Sequence, residues 1–98
     1  MLKKVAKIGD VKEKLCVKLD DKKLALFNIK GKFYCIDNSC SHAGGPLCKG
    51  SLDGFLVSCL WHNSKFDIKT GKVKAGPAVK DIKSYKVVIK NNEVFIDI

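Results

Sequence analysis

The chain has 98 residues, of which 46% are hydrophobic and 30% charged, and its formal net charge is +9. This length and composition predict one soluble globular domain with a single modest core, and they exclude a disordered chain. No apolar run approaches the roughly 18 residues that a membrane-spanning helix needs. The 19 basic residues are all lysines and are spread along the whole chain. Without the bidentate guanidinium of arginine, nucleic-acid binding is not expected.

Short runs of alternating polar and apolar residues, separated by turn residues, predict antiparallel strands and hairpins. No run has the length or the period of a long helix, so the predicted fold class is all-β. The predicted strands cover residues 5–8, 14–19, 23–29, 32–36, 55–58, 66–68, 84–90 and 93–98, with turns at 9–10, 20–21, 30–31, 53–54, 70–71 and 91–92.

Two pairs of soft metal ligands stand near the middle of the chain. One residue separates Cys40 from His42, and two residues separate Cys59 from His62. Thiolate and imidazole both bind transition metals, and two short loops can place four ligands around one site. The chain has two histidines, and both stand in this pattern. A tetrahedral zinc site is one interpretation, although zinc spacings usually put both cysteines in one loop.

The order Cys-x-His…Cys-x-x-His resembles the Rieske family, in which two cysteines hold one iron of a [2Fe-2S] cluster and two histidines hold the other. The resemblance extends to the segments Ser-His-Ala-Gly-Gly-Pro-Leu, Trp-His-Asn-Ser-Lys-Phe-Asp, Lys-Thr-Gly-Lys and Gly-Pro-Ala, and it is strongest over residues 40–78. It implies a single Rieske domain, residues 1–98, whose antiparallel sheets form a base. A small cluster-binding subdomain, about residues 38–68, is inserted into that base.

The resemblance also implies the cofactor, a Rieske-type [2Fe-2S] cluster, and a role for each site residue. Cys40 and Cys59 bind one iron as thiolates, and His42 and His62 bind the other as neutral imidazoles. The glycines and the proline at 44–46 shape the first loop, whose backbone N–H groups face the cluster sulfurs in the family.

Four further residues and one dipeptide near the site are open to interpretation. Leu60 and Trp61 either shield the cluster or are ordinary core residues. Gly76-Pro77 either corresponds to the proline loop that covers the cluster in relatives or is a plain turn. Leu47 and Leu52 are expected to pack in the core.

Three cysteines lie outside the ligand pattern, and the odd total argues against a complete disulfide framework. Cys16 and Cys35 stand in strand-like runs, so we expect them to be small buried hydrophobes. Cys48 has no evident mate, and its role stays open. Rieske proteins of the cytochrome complexes carry a disulfide between their two ligand loops, but the corresponding positions here are Gly45 and Trp61.

The resemblance bears on the redox potential as well. In high-potential relatives a serine hydroxyl donates to a bridging sulfide and a tyrosine hydroxyl donates to a cysteine sulfur. Ser64 stands at the serine position, but Phe66 stands at the tyrosine position and has no hydroxyl. We therefore expect a potential below zero, in the lower part of the Rieske range of roughly −150 to +300 mV.

The predicted function is that of a soluble one-electron carrier between a flavin reductase and a terminal oxygenase or another redox acceptor. The chain is not expected to be an enzyme, because it has no second domain to hold a substrate. We expect a cytoplasmic protein, since the basic amino terminus lacks the apolar segment of a secretory signal. We also expect a monomer. Its partners are redox proteins, with no nucleic acid and no membrane.

The alternatives are a zinc-stabilised Cys2His2 interaction module and a small Rieske-type subunit of a nitrite reductase. The lysines are either a solvated coat or guide docking to an acidic redox partner.

Overall fold

A computed structural model describes residues 1–40, 44–61 and 63–98. Within these residues the chain forms β-strands and two single 3-10 turns, Ile8–Asp10 and Leu47–Lys49, and has no α-helix. None of the described segments is a helix long and apolar enough to cross a membrane. The predicted all-β class is confirmed. The strands are β1 (Leu2–Lys7), β2 (Lys14–Leu19), β3 (Lys22–Ile29), β4 (Lys32–Asp37), β5 (Ser51–Asp53), β6 (Leu56–Ser58), β7 (Lys65–Asp67), β8 (Val73–Ala75), β9 (Ser84–Tyr85), β10 (Val87–Lys90) and β11 (Glu93–Asp97).

The strands pair into three antiparallel sheets, with the orders β1-β11-β10, β2-β3-β4-β9 and β5-β6-β7-β8. Tight turns connect the hairpins where the sequence predicts them. Both central residues of the β3–β4 turn, Lys30 and Gly31, have positive φ, and so do Asn91 and Asn92 between β10 and β11. Two such residues give the turn the right-handed twist of the flanking strands. Asparagine and glycine tolerate this backbone region best.

Strand β3 is buried on both faces and separates two hydrophobic cores. Leu24 and Leu26 point into a core with the β1-β11-β10 sheet. Ala25 and Phe27 alternate with them and point into the second core, beneath the β5-β6-β7-β8 sheet. A strand covered on both sides needs no polar alternation, which explains the continuous apolar run in β3.

One predicted strand, residues 84–90, is divided between two sheets. Ser84–Tyr85 pairs with β4, whereas Val87–Lys90 pairs with β11. The Tyr85 hydroxyl donates a hydrogen bond to Asp37 at the end of β4 (2.7 Å), which holds the short strand β9 in its sheet. Strand β8 has no counterpart among the predicted strands, because its Val-Lys-Ala sequence is too short for a periodic signal.

The β5-β6-β7-β8 sheet carries the part of the chain that the sequence assigns to the inserted subdomain. Val57 and Phe66 from this sheet, and Ile68 directly after β7, are buried in the same core as Cys40 and Cys59. The sheet continues to Ala75 in β8. The bounds of the subdomain, about 38–68, stay a prediction.

Candidate metal centre

The second cysteine loop, residues 59–64, closes the hairpin between β6 and β7 above the pair Ser58 and Lys65. The N–H of Cys59 donates to the carbonyl of Ser64 (2.8 Å), and the N–H of Asn63 donates to the carbonyl of Cys59 (2.8 Å). Asn63 has φ of +62°, which turns the chain back towards β7. The backbone itself therefore fixes the position of the Cys59 thiol.

The first cysteine loop, residues 40–45, has the same backbone frame. It is closed by an antiparallel bridge between Ser39 and Pro46. The N–H of Cys40 donates to the carbonyl of Gly45 (2.9 Å), and the N–H of Gly44 donates to the carbonyl of Cys40 (2.8 Å). Gly44, at the position equivalent to Asn63, has φ of +73°. Each loop thus has the same backbone frame at its cysteine, although the two sequences match only at the cysteine and place their histidines at different spacings.

The two cysteines lie in one buried cluster and carry free thiols. Cys40 is 3% exposed and Cys59 is 0% exposed. Gly45 of the first loop lies against the second loop, since a Cβ built on it would stand 2.7 Å from the Cys59 sulfur. Neither loop contains a lysine, an aspartate or a glutamate. Two buried thiols in one cluster, on loops that touch each other, have the donor chemistry of a soft-metal or iron–sulfur site.

His42 and His62, the other two predicted ligands, lie outside the described residues. Among residues 1–40, 44–61 and 63–98, no group of three or more Cys, His, Asp or Glu side chains could hold a metal ion. The described residues supply the cysteine half of the predicted ligand set. The full set Cys40, His42, Cys59 and His62 stays a prediction.

A hydrogen bond attaches the proline loop to the second cysteine loop. The N–H of Ala78 donates to the hydroxyl of Ser64 (2.9 Å), and both residues are buried. The loop at Gly76-Pro77 is therefore fastened beside the site and is more than a plain turn. Ser64 also stands where high-potential relatives have a serine that donates to a bridging sulfide, and that role stays a prediction.

Leu60 and Trp61 are not core residues, because they are 61% and 57% exposed. Trp61 lies over Gly45, whose Cβ would stand 3.0 Å from the indole Cδ2. Val79, next to the anchored Ala78, is 85% exposed. These three side chains form an apolar surface beside the cysteine loops, which we call the apolar rim. Leu47 is buried and Leu52 packs against the core, as expected.

Asn38 is a positioning residue that the sequence analysis did not single out. Its side-chain oxygen accepts from the N–H of Cys48 (2.7 Å), and its carbonyl accepts from the N–H of Leu47 (2.7 Å). Its own N–H donates to the carbonyl of Lys23 in β3 (2.9 Å). Asn38 thus ties both ends of the first cysteine loop to the base. An asparagine between a strand and a ligand pair was the available signal, because its side chain often bonds to nearby backbone.

The structure corrects the prediction for Cys16 and supplies a mate for Cys48. A disulfide joins them, with the two Cα atoms 5.1 Å apart. Cys16 is exposed rather than buried. Cys16 pairs in register with Ala25, so its side chain points to the face of the sheet where Cys48 lies. Cys16 is nevertheless exposed, because β2 is the edge strand of its sheet. The pairing depends on sheet register, which cysteine spacing does not reveal.

Cys35 is a small buried residue, as predicted, and lies in the other core. Burial, with a further contribution from the Asp37 carboxylate, raises the pKa of the Cys35 thiol to about 12. A thiol that keeps its proton at neutral pH is a poor nucleophile and a poor metal ligand. Cys35 is therefore expected to be neither a nucleophile nor a metal ligand.

Two cysteine loops of matching geometry at one end of a small antiparallel sheet define a class of β-proteins that hold a metal centre between hairpin loops. The family model of the Rieske [2Fe-2S] domain matches residues 1–86, and the chain belongs to this family. Its cofactor is a Rieske-type [2Fe-2S] cluster. The resemblance seen in the sequence is confirmed.

Several known proteins similar to the chain are ferredoxins. It is 39% identical over 90 residues to the ferredoxin component of the naphthalene 1,2-dioxygenase system of Pseudomonas putida, a match that covers 92% of this chain and 84% of that protein. The Sphingomonas yanoikuyae B1 ferredoxin superposes with a TM-score of 0.93 at 33% identity, covering 99% of this chain and 98% of the other. A chain in the solved complex of reduced oxygenase and oxidised ferredoxin in carbazole 1,9a-dioxygenase superposes with a TM-score of 0.90 at 26% identity, covering 97% and 91%.

Proposed function

We propose that this protein is a one-electron carrier of the Rieske ferredoxin type. The observation that carries the proposal is the pair of buried free cysteines, each held in the same backbone frame by its own loop. When bound, the cluster accepts and releases one electron at a time. The chain has the size and the fold of a carrier, and we propose no substrate site of its own.

Four residues are proposed to hold the cluster. Cys40 and Cys59 bind one iron, and His42 and His62 bind the other through neutral imidazole nitrogens. The backbone bonds within the two loops hold the main chain of both cysteines, which reduces the cost of ordering the ligands. Ser64 is proposed to donate its hydroxyl proton to the cluster, as the serine at this position does in high-potential relatives.

The proposed partners are a flavin reductase as electron donor and a terminal oxygenase or another redox protein as acceptor. The naming of the relatives as ferredoxin components of dioxygenase systems supports this. The apolar rim of Leu60, Trp61 and Val79 supports a docking face at the cysteine loops, because exposed apolar side chains beside a site are typical of interaction surfaces. With a net charge of +9, the chain suits a partner whose contact face is acidic.

We propose the cytoplasm as the location and a single domain, residues 1–98, as the functional unit. The Cys16–Cys48 disulfide is unusual for a cytoplasmic protein, but intracellular proteins of hyperthermophiles do carry disulfides. A composition rich in lysine is a further feature of such proteins. Cell fractionation with an antibody to the chain tests the location.

Metal analysis of protein purified without oxygen tests the function. We expect a red-brown protein with two irons and two acid-labile sulfides per chain, and a visible spectrum that dithionite bleaches. Cys40→Ser and Cys59→Ser should each abolish cluster assembly, whereas the control Cys35→Ala should keep the spectrum. A colourless, folded protein with one zinc per chain would establish the zinc module instead.

A further inference from the structure

The Cys16–Cys48 disulfide joins an exposed strand to the segment that follows the first cysteine loop. Cys16 lies on the edge strand β2 and is exposed, whereas Cys48 is buried in the turn Leu47–Lys49. The bond spans 32 residues of sequence. It belongs neither to the proposed ligand set nor to the positions at which Rieske proteins of the cytochrome complexes carry their disulfide.

The turn that carries Cys48 has few other connections to β2. Lys14, on the same face of β2 as Cys16, donates a hydrogen bond from Nζ to the carbonyl of Gly50. On its other side the turn is held by Asn38, which stands before Cys40 and accepts from the N–H groups of Leu47 and Cys48. The disulfide is thus the covalent link among the connections that hold the turn after the first cysteine loop.

We propose that Cys16–Cys48 is a thiol-exchange site at which a cellular dithiol controls how firmly the chain retains its cofactor. The inference rests on the proposed function, because it concerns release of the cluster. The substrate class is a low-molecular-weight or protein dithiol that reaches Cys16 from solvent.

The direction of exchange follows from the unequal exposure of the two residues, since Cys16 is exposed and Cys48 is buried. A thiolate of the dithiol attacks the Cys16 sulfur, the S–S bond breaks, and Cys48 leaves as a thiolate that takes up a proton. The second thiol of the dithiol then attacks the mixed disulfide, and Cys16 leaves and is protonated in turn. Two electrons and two protons pass to the protein, and the dithiol becomes a disulfide. The cluster itself is not the reductant, because it passes one electron at a time and the exchange needs two.

Reduction removes the constraint without removing a ligand. The first cysteine loop is then held by its own backbone bonds, by Asn38 and by the Lys14–Gly50 bond. These bonds can open one at a time, so local opening around Cys40 becomes more frequent. Loss of the cluster requires such opening, because Cys40 and Cys59 are buried.

The test uses the holoprotein, purified without reductant, and dithiothreitol as the probe. Non-reducing peptide mapping by mass spectrometry should find one crosslinked peptide pair that contains Cys16 and Cys48. Dithiothreitol should remove the crosslink. In the presence of an iron chelator, it should also speed the loss of visible absorption by roughly tenfold. A crosslink of this span stabilises the chain by more than the free energy that corresponds to a tenfold change in an equilibrium constant.

Matched variants separate the crosslink from other effects of the reductant. The double variant Cys16→Ser/Cys48→Ala should lose its cluster at the fast rate and should not respond to dithiothreitol. Cys35→Ala, with the disulfide intact, should respond as the native protein does. Lys14→Met should speed cluster loss in the reduced protein more than in the oxidised protein, since Lys14 then holds the remaining link to β2.

Two results would overturn the inference while leaving the proposed function intact. One is a cluster-containing protein in which no crosslink forms even after mild oxidation. The other is equal cluster loss with and without the crosslink. A protein that binds no iron and no sulfide would overturn the proposed function and this inference together, and metal analysis identifies that case separately.

Discussion

Gly45 of the first cysteine loop lies directly against the Cys59 sulfur of the second, so close that a Cβ on Gly45 would stand 2.7 Å from it. The same Cβ would stand 3.0 Å from the Trp61 ring. Gly45 and Trp61 occupy the positions at which Rieske proteins of the cytochrome complexes form their disulfide. In this chain a packing contact between a glycine and an indole joins the two loops where those relatives have a covalent bond.

Gly45→Ala should therefore disturb the site. The new methyl group would displace either the Cys59 sulfur or the Trp61 ring, and the displaced sulfur would no longer match its place in the cluster. We expect iron and sulfide content to fall to less than about half, since overpacking a filled site costs roughly 1–3 kcal/mol. Gly9→Ala is the matched control, because a Cβ at Gly9 would meet nothing within 4 Å. Full cluster content in Gly45→Ala would show that the loops adjust without cost.

Ser64→Ala tests the hydroxyl that connects the proline loop to the second cysteine loop. The substitution leaves the buried N–H of Ala78 without its acceptor. It also removes the hydroxyl that is proposed to donate to the cluster. We expect the free energy of unfolding to fall by about 1–3 kcal/mol, because the N–H of Ala78 is then buried without a partner. We also expect the midpoint potential to fall by roughly 40–90 mV, which corresponds to about 1–2 kcal/mol for one electron. Protein-film voltammetry measures the potential, and Ser51→Ala on exposed β5 is the control. An unchanged potential would mean that Ser64 only fastens the proline loop.

Phe66 offers the opposite change. It is fully buried in the core beneath the cysteine loops and stands where high-potential relatives have tyrosine. With phenylalanine there, the native midpoint should lie below zero, in the lower part of the range of roughly −150 to +300 mV. Phe66→Tyr should raise it by roughly 40–90 mV if the added hydroxyl donates to a cysteine sulfur. A native midpoint far above zero would contradict the assigned role of this position.

The rate of electron transfer to the partner should fall as ionic strength rises. Attraction between the lysine-rich surface and an acidic partner is screened beyond about 8 Å at physiological salt. Lys65, exposed beside the second cysteine loop, should contribute more than Lys90 at the far end of β10. Lys65→Gln should slow the second-order rate about two- to fivefold at low salt, a small part of the range that steering can reach. Lys90→Gln should leave this rate unchanged. A rate that is independent of salt would leave the lysines as a solvated coat.

Alkaline pH should destabilise the protein through Cys35. Burial raises the pKa of this thiol from an ordinary value of 9.0 to about 12. Between these two values the unfolded chain loses the proton and the folded chain keeps it, so stability is full below pH 9.0 and falls as pH rises towards 12. Urea unfolding at about pH 8 and about pH 10.5 should show a loss from this group of about 2 kcal/mol.

Cys35→Ala is the comparison for the alkaline loss, because it removes the thiol. Burial and the hydrogen bond to Asp37 also raise the pKa of Tyr85, and this loss has the same sign and remains in the variant. The Cys35 thiolate makes the smallest contribution to the raised pKa of Tyr85, so the difference between the two proteins reports mainly Cys35. Equal alkaline losses in both would mean that the thiol does not titrate differently on unfolding.

Local patterns in the sequence were enough to predict the all-β class, the turns at Lys30-Gly31 and Asn91-Asn92, and the Rieske family. These features depend on residues close together in the chain. A tight turn needs two residues that accept positive φ, and a cluster loop needs its ligands at a set spacing. Backbone conformation and ligand type are properties of a short segment, so the segment itself predicts them.

Contacts between distant segments were decided by the tertiary structure alone. Cys16 and Cys48 meet because the register of β2 on β3 turns Cys16 towards the core that holds Cys48. Residues 84–90 are divided between two sheets because Tyr85 bonds to Asp37 while Val87 pairs with β11. Trp61 is exposed because it lies over Gly45 at the end of a hairpin. A one-residue change of register moves every side chain of a strand to the other face, and no local pattern records which register the folded chain adopts.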